Sequence, residues 1–344
     1  MPDHSAPHQR RPRYRGKNPR RFDEKYKEHD PARHADTIAK VLAAGKTPAG
    51  SHRPIMVAEI MEVLAPQPDE VGVDCTLGHG GHAQELLKCL QPGGHLLGLD
   101  VDPMELPKTE ARLRALGFGP EIFSAQRSNF AGLPQALTQA GRAGADVVLA
   151  DLGVSSMQLD DPARGFSLKL EGPLDLRMNP TRGQPASALL QKMRPAVLAE
   201  LLNENADEPH ALRLAELLAG KSFATTTAFS AAVRAALPRV KEEERELSVR
   251  RVFQALRVAV NDEFAALEAL LRVLPDCLNP RGRVAILTFH SGEDRRVKKA
   301  FQAGFRDGDY EAIADNVIRP SAEERYANPR SASGKMRWAR RSAS

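Results

Sequence analysis

The sequence predicts an α/β protein: an open, mostly parallel sheet whose chain is interrupted by an inserted all-helical segment. Three observations predict it. A strand, a glycine turn and an amphipathic helix follow one another between Val71 and Leu90. A continuous apolar run between acids, Asp146-Val147-Val148-Leu149-Ala150-Asp151, reads as a central parallel strand covered on both faces. From Ala186 to about Leu274 the chain is nearly all helical in pattern, and strand character returns at Arg283-Val284-Ala285-Ile286-Leu287-Thr288-Phe289.

In the first unit, Val71 and Val73 alternate as a buried strand does, and Asp74 closes it. Gly78, Gly80 and Gly81 crowd the turn; Ala83, Leu86, Leu87 and Leu90 then recur along one face of a helix. Glycines in such a turn let the backbone approach a ligand, with amides free at the helix N-terminus. The next strand, from His95 to Leu99, ends in Asp100. That acid lies about twenty residues past the glycines, where such folds place a carboxylate on ribose hydroxyls. The glycines stand too close for the dinucleotide spacing G-x-G-x-x-G, so a pyrophosphate ligand is disfavoured against a nucleoside without phosphates. S-adenosylmethionine fits; a nicotinamide or flavin nucleotide and a purely structural turn stay open at this point.

Ahead of this unit, residues Ile55 to Leu64 are apolar at helical spacing, and Ile38 to Ala44 form a shorter helical stretch. Past Asp100, Val101-Asp102-Pro103 leads into a helix ending near Leu116, a short strand at Ile122-Phe123 and a loop at Ser128-Asn129-Phe130. The stretch from Leu152 to Arg182 is charged and rich in glycine and proline. A loop of that length in a compact domain is functional or disordered. Helices are expected at residues 195–202, 210–218, 228–237 and 251–274. The expected layout is a basic tail over residues 1–45, a sheet domain from 46–160 and 275–344, and a loop plus helical insertion over 161–274.

With 344 residues and 42% hydrophobic content the chain can bury a real core. No stretch approaches the roughly 18 apolar residues of a membrane span. No apolar signal-peptide core stands at the N-terminus. Three cysteines, an odd number without a CxxC pair, argue against a disulfide framework or a zinc site. The expected home is a reducing cytoplasm, with no metal. Charge is informative by position. Residues 1–35 hold ten Lys/Arg against five Asp/Glu, a surplus equal to the net +5 of the whole chain. Residues 325–344 add six basic residues and no acids. Basic ends on an acidic middle suggest phosphate contacts that anchor rather than specify, with a disordered solubilising tail as the other reading of residues 1–35.

Asp151-Leu152-Gly153-Val154-Ser155-Ser156 lies at the carboxyl end of the central strand, where open α/β sheets place their ligands. Asp151 there either accepts hydrogen bonds from an amino group and binds cofactor, or only caps the next turn. Phe289-His290-Ser291 also follows a strand, so His290 belongs to the same rim. These pieces fall in sequence with Asp74-Cys75-Thr76-Leu77-Gly78-His79-Gly80-Gly81-His82, Arg164-Gly165-Phe166-Ser167, Gly172-Pro173-Leu174-Asp175-Leu176-Arg177-Met178, Phe253-Gln254-Ala255-Leu256-Arg257, Val260-Asn261 and Asn328-Pro329-Arg330. The set closely resembles the bacterial 16S ribosomal RNA cytosine-N4 methyltransferases, the small subunit methyltransferase H family, from about Ser51 to Arg340.

The resemblance implies a Rossmann-like methyltransferase sheet, S-adenosylmethionine as methyl donor, and a P-site cytidine of 16S rRNA in the small ribosomal subunit as acceptor. It implies cofactor contacts at Gly80, Gly81, His82, Asp100, Phe130, Asp151 and Gln158, and physics agrees for most: backbone at the glycines, ribose at Asp100, an aromatic wall for adenine at Phe130. The sequence departs from the family pattern at Glu171 and Asn179, where Asp is expected, and at Gly292, where Leu is usual. Residues 205–210 also lack the usual Gly-Glu-Glu-Arg-Phe.

An exocyclic cytosine amine is a poor nucleophile because its lone pair is delocalised into the ring. The enzyme must hold the N–H groups with acceptors and set the reactants in line. Asp151, or a carbonyl just after it, is the candidate catalytic acceptor. The target must also leave its stack, so the site needs a groove for RNA. Arg177, Arg251, Arg257, Arg330 and Arg337 are candidate phosphate ligands, with ordinary salt bridges as the competing reading. Two alternatives are carried: an amino-methyltransferase of another substrate such as DNA, disfavoured by the absence of Asp-Pro-Pro-Tyr, and a non-catalytic, cofactor-binding ribosome assembly factor. Oligomeric state is left open, a homodimer included.

Overall fold

Helix α1 (Val57–Leu64) leads into the βαβ unit that the glycine turn announces: β1 (Val71–Asp74), α2 (Gly81–Leu90) and β2 (His95–Asp100). The structure is a computed structural model, and it describes residues 54–168 and 170–343. The expected basic tail, its short helical stretch and Ser51 to Arg53 lie outside the described residues. Helix α3 (Leu106–Ala115), β3 (Phe123–Arg127), a 3-10 turn at Phe130–Gly132, α4 (Leu133–Gln139) and β4 (Ala145–Asp151) complete the first half. A short α5 (Ser156–Asp160) follows, and then α6 (Ala186–Lys192), α7 (Pro195–Ala206), α8 (Ala211–Leu218), α9 (Thr226–Ala236) and α10 (Glu242–Val260) form the helical insertion. The chain returns through α11 (Glu263–Cys277), β5 (Leu278–Thr288), α12 (Ser291–Asp307), β6 (Tyr310–Ile313), α13 (Ala322–Ala327) and β7 (Lys335–Arg341).

The sheet runs β3-β2-β1-β4-β5-β7-β6, parallel from β3 through β5, with β7 antiparallel to both its neighbours. Period-two alternation divides its side chains between two apolar layers. Val73, Leu97, Leu99, Val148, Ala150, Val284 and Ile286 pack with α4, α11 and α12 on one face. Leu96, Val147, Leu149, Ala285 and Leu287 pack with α1, α2 and α3 on the other. This is why β4 reads as an unbroken apolar run: both faces of it are covered. The insertion closes a separate core of its own, from Phe166 and Leu174 through Phe229 to Leu256.

The structure differs from the sequence reading at several elements. The helix expected over residues 251–274 is two helices, broken at Asn261-Asp262, where Asp262 adopts φ 51°. The second of them, α11, packs Leu267, Leu270, Leu271 and Leu274 on the sheet and not into the insertion's core. The short strand at Ile122-Phe123 runs on to Arg127. Strands β6 and β7 are not foreseen, because β7 carries four Lys/Arg in seven residues and reads as a basic tail. Its cations are used internally: Arg337 binds Asp294 at 2.6 Å, Arg340 binds Glu311 at 2.5 Å, and Arg341 donates to the Leu278 carbonyl. Three of the four cations of β7 are therefore used within the sheet domain.

Candidate active site

Strand order reverses direction of growth at β1, whose neighbours are β2 on one side and β4 on the other. A crevice opens at the carboxyl ends of strands at such a switch point. Three acids end these strands: Asp74 on β1, Asp100 on β2 and Asp151 on β4. The chain leaving β1 threads between the neighbouring strand ends, with the Cys75 amide donating to the Leu149 carbonyl and the Leu77 amide to the Leu99 carbonyl, both at 2.8 Å.

The glycine turn is pressed against α3. Thr109 Oγ1 donates to the Gly78 carbonyl at 2.5 Å, and the Arg112 guanidinium donates to the His79 carbonyl. Gly80 caps α2 with φ 71°, and a Cβ there would lie 2.8 Å from Thr109 Cγ2. Both the backbone angle and the close approach require glycine. Asp100 holds the front of the same turn: one carboxylate oxygen accepts the Gly78 amide at 2.7 Å and the other the Asp102 amide at 2.8 Å. Burial raises Asp100 above its ordinary value despite these amides. Each oxygen keeps a second acceptor site, so bracing the turn and holding ribose hydroxyls are compatible.

Asp151 is fixed by its backbone, whose amide donates to Thr76 Oγ1 at 2.7 Å. One carboxylate oxygen lies 3.5 Å from His82 Nε2, on the first turn of α2. The other is buried and has no hydrogen-bond partner. An acceptor left so is costly unless something else satisfies it, which makes it the position that fits an N–H donor of a ligand. His82 is itself buried; desolvation works to neutralise it, but Asp151, Asp74 and Glu324 together raise it above its ordinary value. Asp74 is 1% exposed, and burial lifts its carboxyl to about 6.

Phe130 sits half-buried in the 3-10 turn after β3, which Asn129 caps by accepting the Ala131 amide at 2.9 Å. Gln158 is buried, and both ends of its amide are engaged. Its oxygen accepts the Ser155 amide at 2.9 Å and its nitrogen donates to Asp102 at 2.9 Å. Asp102, 1% exposed, also takes the Arg164 guanidinium at 2.7 Å, and Arg164 reaches on to the Met178 carbonyl at 2.7 Å. This buried pair ties the long loop to the end of β2. Asn261 holds the same loop from the insertion, accepting the Met178 amide at 2.7 Å and donating to the Leu176 carbonyl at 2.8 Å. The sequence reading assigns no role to Thr76, Asp102, Arg164 or Asn261, although each lies in a quoted motif or beside a strand end.

The remaining candidates divide. His290 Nε2 lies 3.0 Å from Glu293, which in turn accepts the Phe289 amide at 2.8 Å, so His290 and Glu293 build the junction of β5 and α12. Burial works to raise Glu293, but His290, Arg257 and the Phe289 amide hold it below the usual carboxylate range. Arg257 forms a two-pronged pair with Glu263 at 2.8 and 2.9 Å, and Arg177 one with Asp175 at 2.7 and 2.8 Å. With Arg337 buried on Asp294, these arginines support the fold. Arg330 pairs with Asp160 at 2.7 Å yet stays 44% exposed, and Arg251 is half-buried. Gly292 has a packing reason: a Cβ there would meet Phe264 Cζ at 2.6 Å. Among the described residues no group of three or more His, Cys, Asp or Glu is placed to hold a metal ion, and no helix is long and apolar enough to cross a membrane.

Comparison with known proteins agrees with this geometry. Residues 49–342 match the MraW methylase family. The chain is 50% identical to ribosomal RNA small subunit methyltransferase H 1 of Lachnoclostridium phytofermentans, over 96% of this chain and 93% of that protein. It is 49% identical to ribosomal RNA small subunit methyltransferase H 2 of Alkaliphilus metalliredigens, over 98% and 99% of the two chains. A relative from Prochlorococcus marinus is 38% identical over 83% of this chain and 93% of its own. With its Rossmann-like sheet, its glycine turn and an acid on each of three adjacent strand ends, the chain belongs to the MraW methylase family, methyltransferases that draw on S-adenosylmethionine.

Proposed function

We propose that this protein methylates the exocyclic N4 of a P-site cytidine in 16S rRNA of the small ribosomal subunit. The relatives' names supply the small-subunit RNA; the unpartnered oxygen of Asp151 is the observation that favours an amine as the acceptor. Gly80, Gly81 and His82 would hold the cofactor at the head of α2, with Asp100 toward its ribose, Phe130 toward its adenine, and Asp151 and Gln158 closing the site. S-adenosylmethionine, when bound, supplies a methyl group on a positively charged sulfur.

The protein's own work is on the amine. Asp151 accepts an N4–H hydrogen bond, which turns the nitrogen lone pair out of conjugation and toward the methyl carbon. Thr76 fixes the Asp151 backbone so that the carboxylate is already aimed. His82 Nε2 stands 3.5 Å behind the other oxygen. With the cofactor bound, the amine nitrogen would take the methyl group as the carbon–sulfur bond breaks and the sulfur leaves as a neutral thioether, and the nitrogen's extra proton would pass to water. Gln158 acts one step back, through Asp102, by fixing the loop that walls the site.

The test is methyl transfer from labelled S-adenosylmethionine to undermethylated small ribosomal subunits, with nucleoside analysis of the RNA. N4-methylcytidine is the expected product. Cofactor binding without transfer to any form of the subunit would overturn the reading in favour of an assembly factor.

A further inference from the structure

Tyr326 is 91% exposed, the most exposed large apolar side chain among the described residues. An aromatic ring held fully in water loses the burial that ordinarily offsets its hydration, so its place on the molecule matters. It lies on α13, and that helix is anchored on both sides to the active-site rim. Two residues before it, Glu324 accepts the Met56 amide at 2.9 Å and is close enough to His82 to act on its charge. Four residues after it, Arg330 binds Asp160 at 2.7 Å, at the end of the helix that carries Gln158. The ring thus projects from a segment fixed between the two flanks of the site.

Basic residues flank it in the chain. Arg325, directly before it, is exposed with no ion-pair partner among the described residues, and Arg330, four residues after it, keeps 44% of its side chain in solvent while paired. Glu323 and Glu324 occupy the first turn of α13, where the helix dipole favours them, and no acid follows Glu324 in the chain. An exposed aromatic ring set among arginines is the pattern that holds single-stranded nucleic acid, the ring stacking on a base and the cations meeting the neighbouring phosphates.

We propose that Tyr326 is a stacking platform for an unpaired base next to the target nucleotide, with Arg325 and Arg330 on the adjoining phosphates. This rests on RNA being the substrate. A base pulled from its stack leaves its neighbours without a stacking partner, and a ring at the rim supplies one. Tyr326 touches neither the cofactor nor the reacting amine; it positions the strand.

The experiment compares wild type, Tyr326→Ala and Tyr326→Phe for initial rates of methyl transfer against small-subunit concentration, alongside S-adenosylmethionine binding to each protein alone. The expected result is a KM for the subunit raised about 10-fold in Tyr326→Ala, with kcat and cofactor affinity unchanged and Tyr326→Phe close to wild type. The exposure of the ring makes a folding defect an unsuited explanation, and unchanged cofactor affinity checks it. A wild-type KM in Tyr326→Ala overturns the stacking role while leaving the RNA reading intact, as does a Phe variant as weak as Ala. Absence of transfer by the wild type itself overturns the RNA reading, and the role of Tyr326 with it.

Discussion

A carboxyl group as buried as Asp74 is held against its own hydration, and burial lifts it to about 6 although His82 and the Thr76 amide favour its ionised form. The folded state therefore binds this proton more tightly than the unfolded chain, and stability falls as the pH rises from the unfolded value of 3.8 to the folded value of about 6. His82 works in the same direction: its raised value gives stability that is full below 6.5 and lost as the pH climbs through the folded value. We predict that Asp74→Asn melts higher than wild type at about pH 8, by up to roughly 3 kcal/mol, with the gain shrinking toward about pH 5. Thermal unfolding across that range checks it, and an equal change at both ends would remove Asp74 as the cause. Asp151 carries the companion prediction. Asp151→Ala should lower turnover at saturating cofactor and subunit by about 100-fold or more while the protein stays folded; turnover near wild type would exclude the acceptor role. Asp100 and Asp151 are legible in the sequence because an apolar strand that ends in an acid announces its own rim. The support of Asp151 by Thr76 is not, since the two stand 75 residues apart and only strand pairing brings them together.

Elements show the same division between local pattern and distant partner. The turn between β1 and α2 is legible because its glycines are local, and each answers a local need: a left-handed φ at Gly80 and the wall of α3 behind it. The loop after β4 is legible only as a loop. Its order comes from Arg164, 7% exposed, reaching Asp102 across 62 residues of sequence, and from Asn261 across 83. Glycine lets this loop fold tightly on itself: a Cβ at Gly165 would lie 2.1 Å from the Pro173 carbonyl oxygen. Removing Arg164 leaves Asp102 buried with its charge opposed by only the Gln158 amide and a backbone N–H. We predict that Arg164→Ala costs about 3–5 kcal/mol in chemical denaturation, and that adding Asp102→Asn recovers part of it, because the orphaned charge and not the missing packing is the larger loss. A double variant as unstable as the sum of the two singles would show that the pair does not act as a unit. Strand β7 escapes the sequence reading for a related reason. Its outward arginines find Asp294 and Glu311 on α12 and β6, partners that a basic pattern by itself does not reveal.

At the scale of the whole molecule, the described residues carry three apolar clusters, one on each face of the sheet and one within the insertion. The sheet core fixes the acids, and the insertion's core carries a helical wall joined to it at a few polar points: Arg164 on Asp102, Asn261 on the loop, and Asp207, which accepts from Ser291 at 3.0 Å and from Arg295 at 3.0 Å. The sequence announces the insertion because helical period replaces strand period after the loop. The placement of α11 on the sheet is not legible, since an apolar helical face packs equally well on a sheet or on helices. Charge has its own large-scale pattern. Three of the six C-terminal cations are used within the sheet domain, and the surplus of five positive charges in residues 1–35 is the larger remaining source of attraction for a polyanion. Each phosphate contact releases a condensed counterion, which makes binding weaken as salt rises. Deleting residues 1–35 is therefore predicted to weaken binding to small subunits and to flatten the slope of log affinity against log salt by up to about 3 to 4, while S-adenosylmethionine affinity stays at the wild-type value. Binding titrations over a range of salt, with both ligands, check it. An unchanged slope would assign all the phosphate contacts to residues beyond 35, and an equal loss of RNA and cofactor affinity would mean that the N-terminal residues serve the fold instead of the substrate.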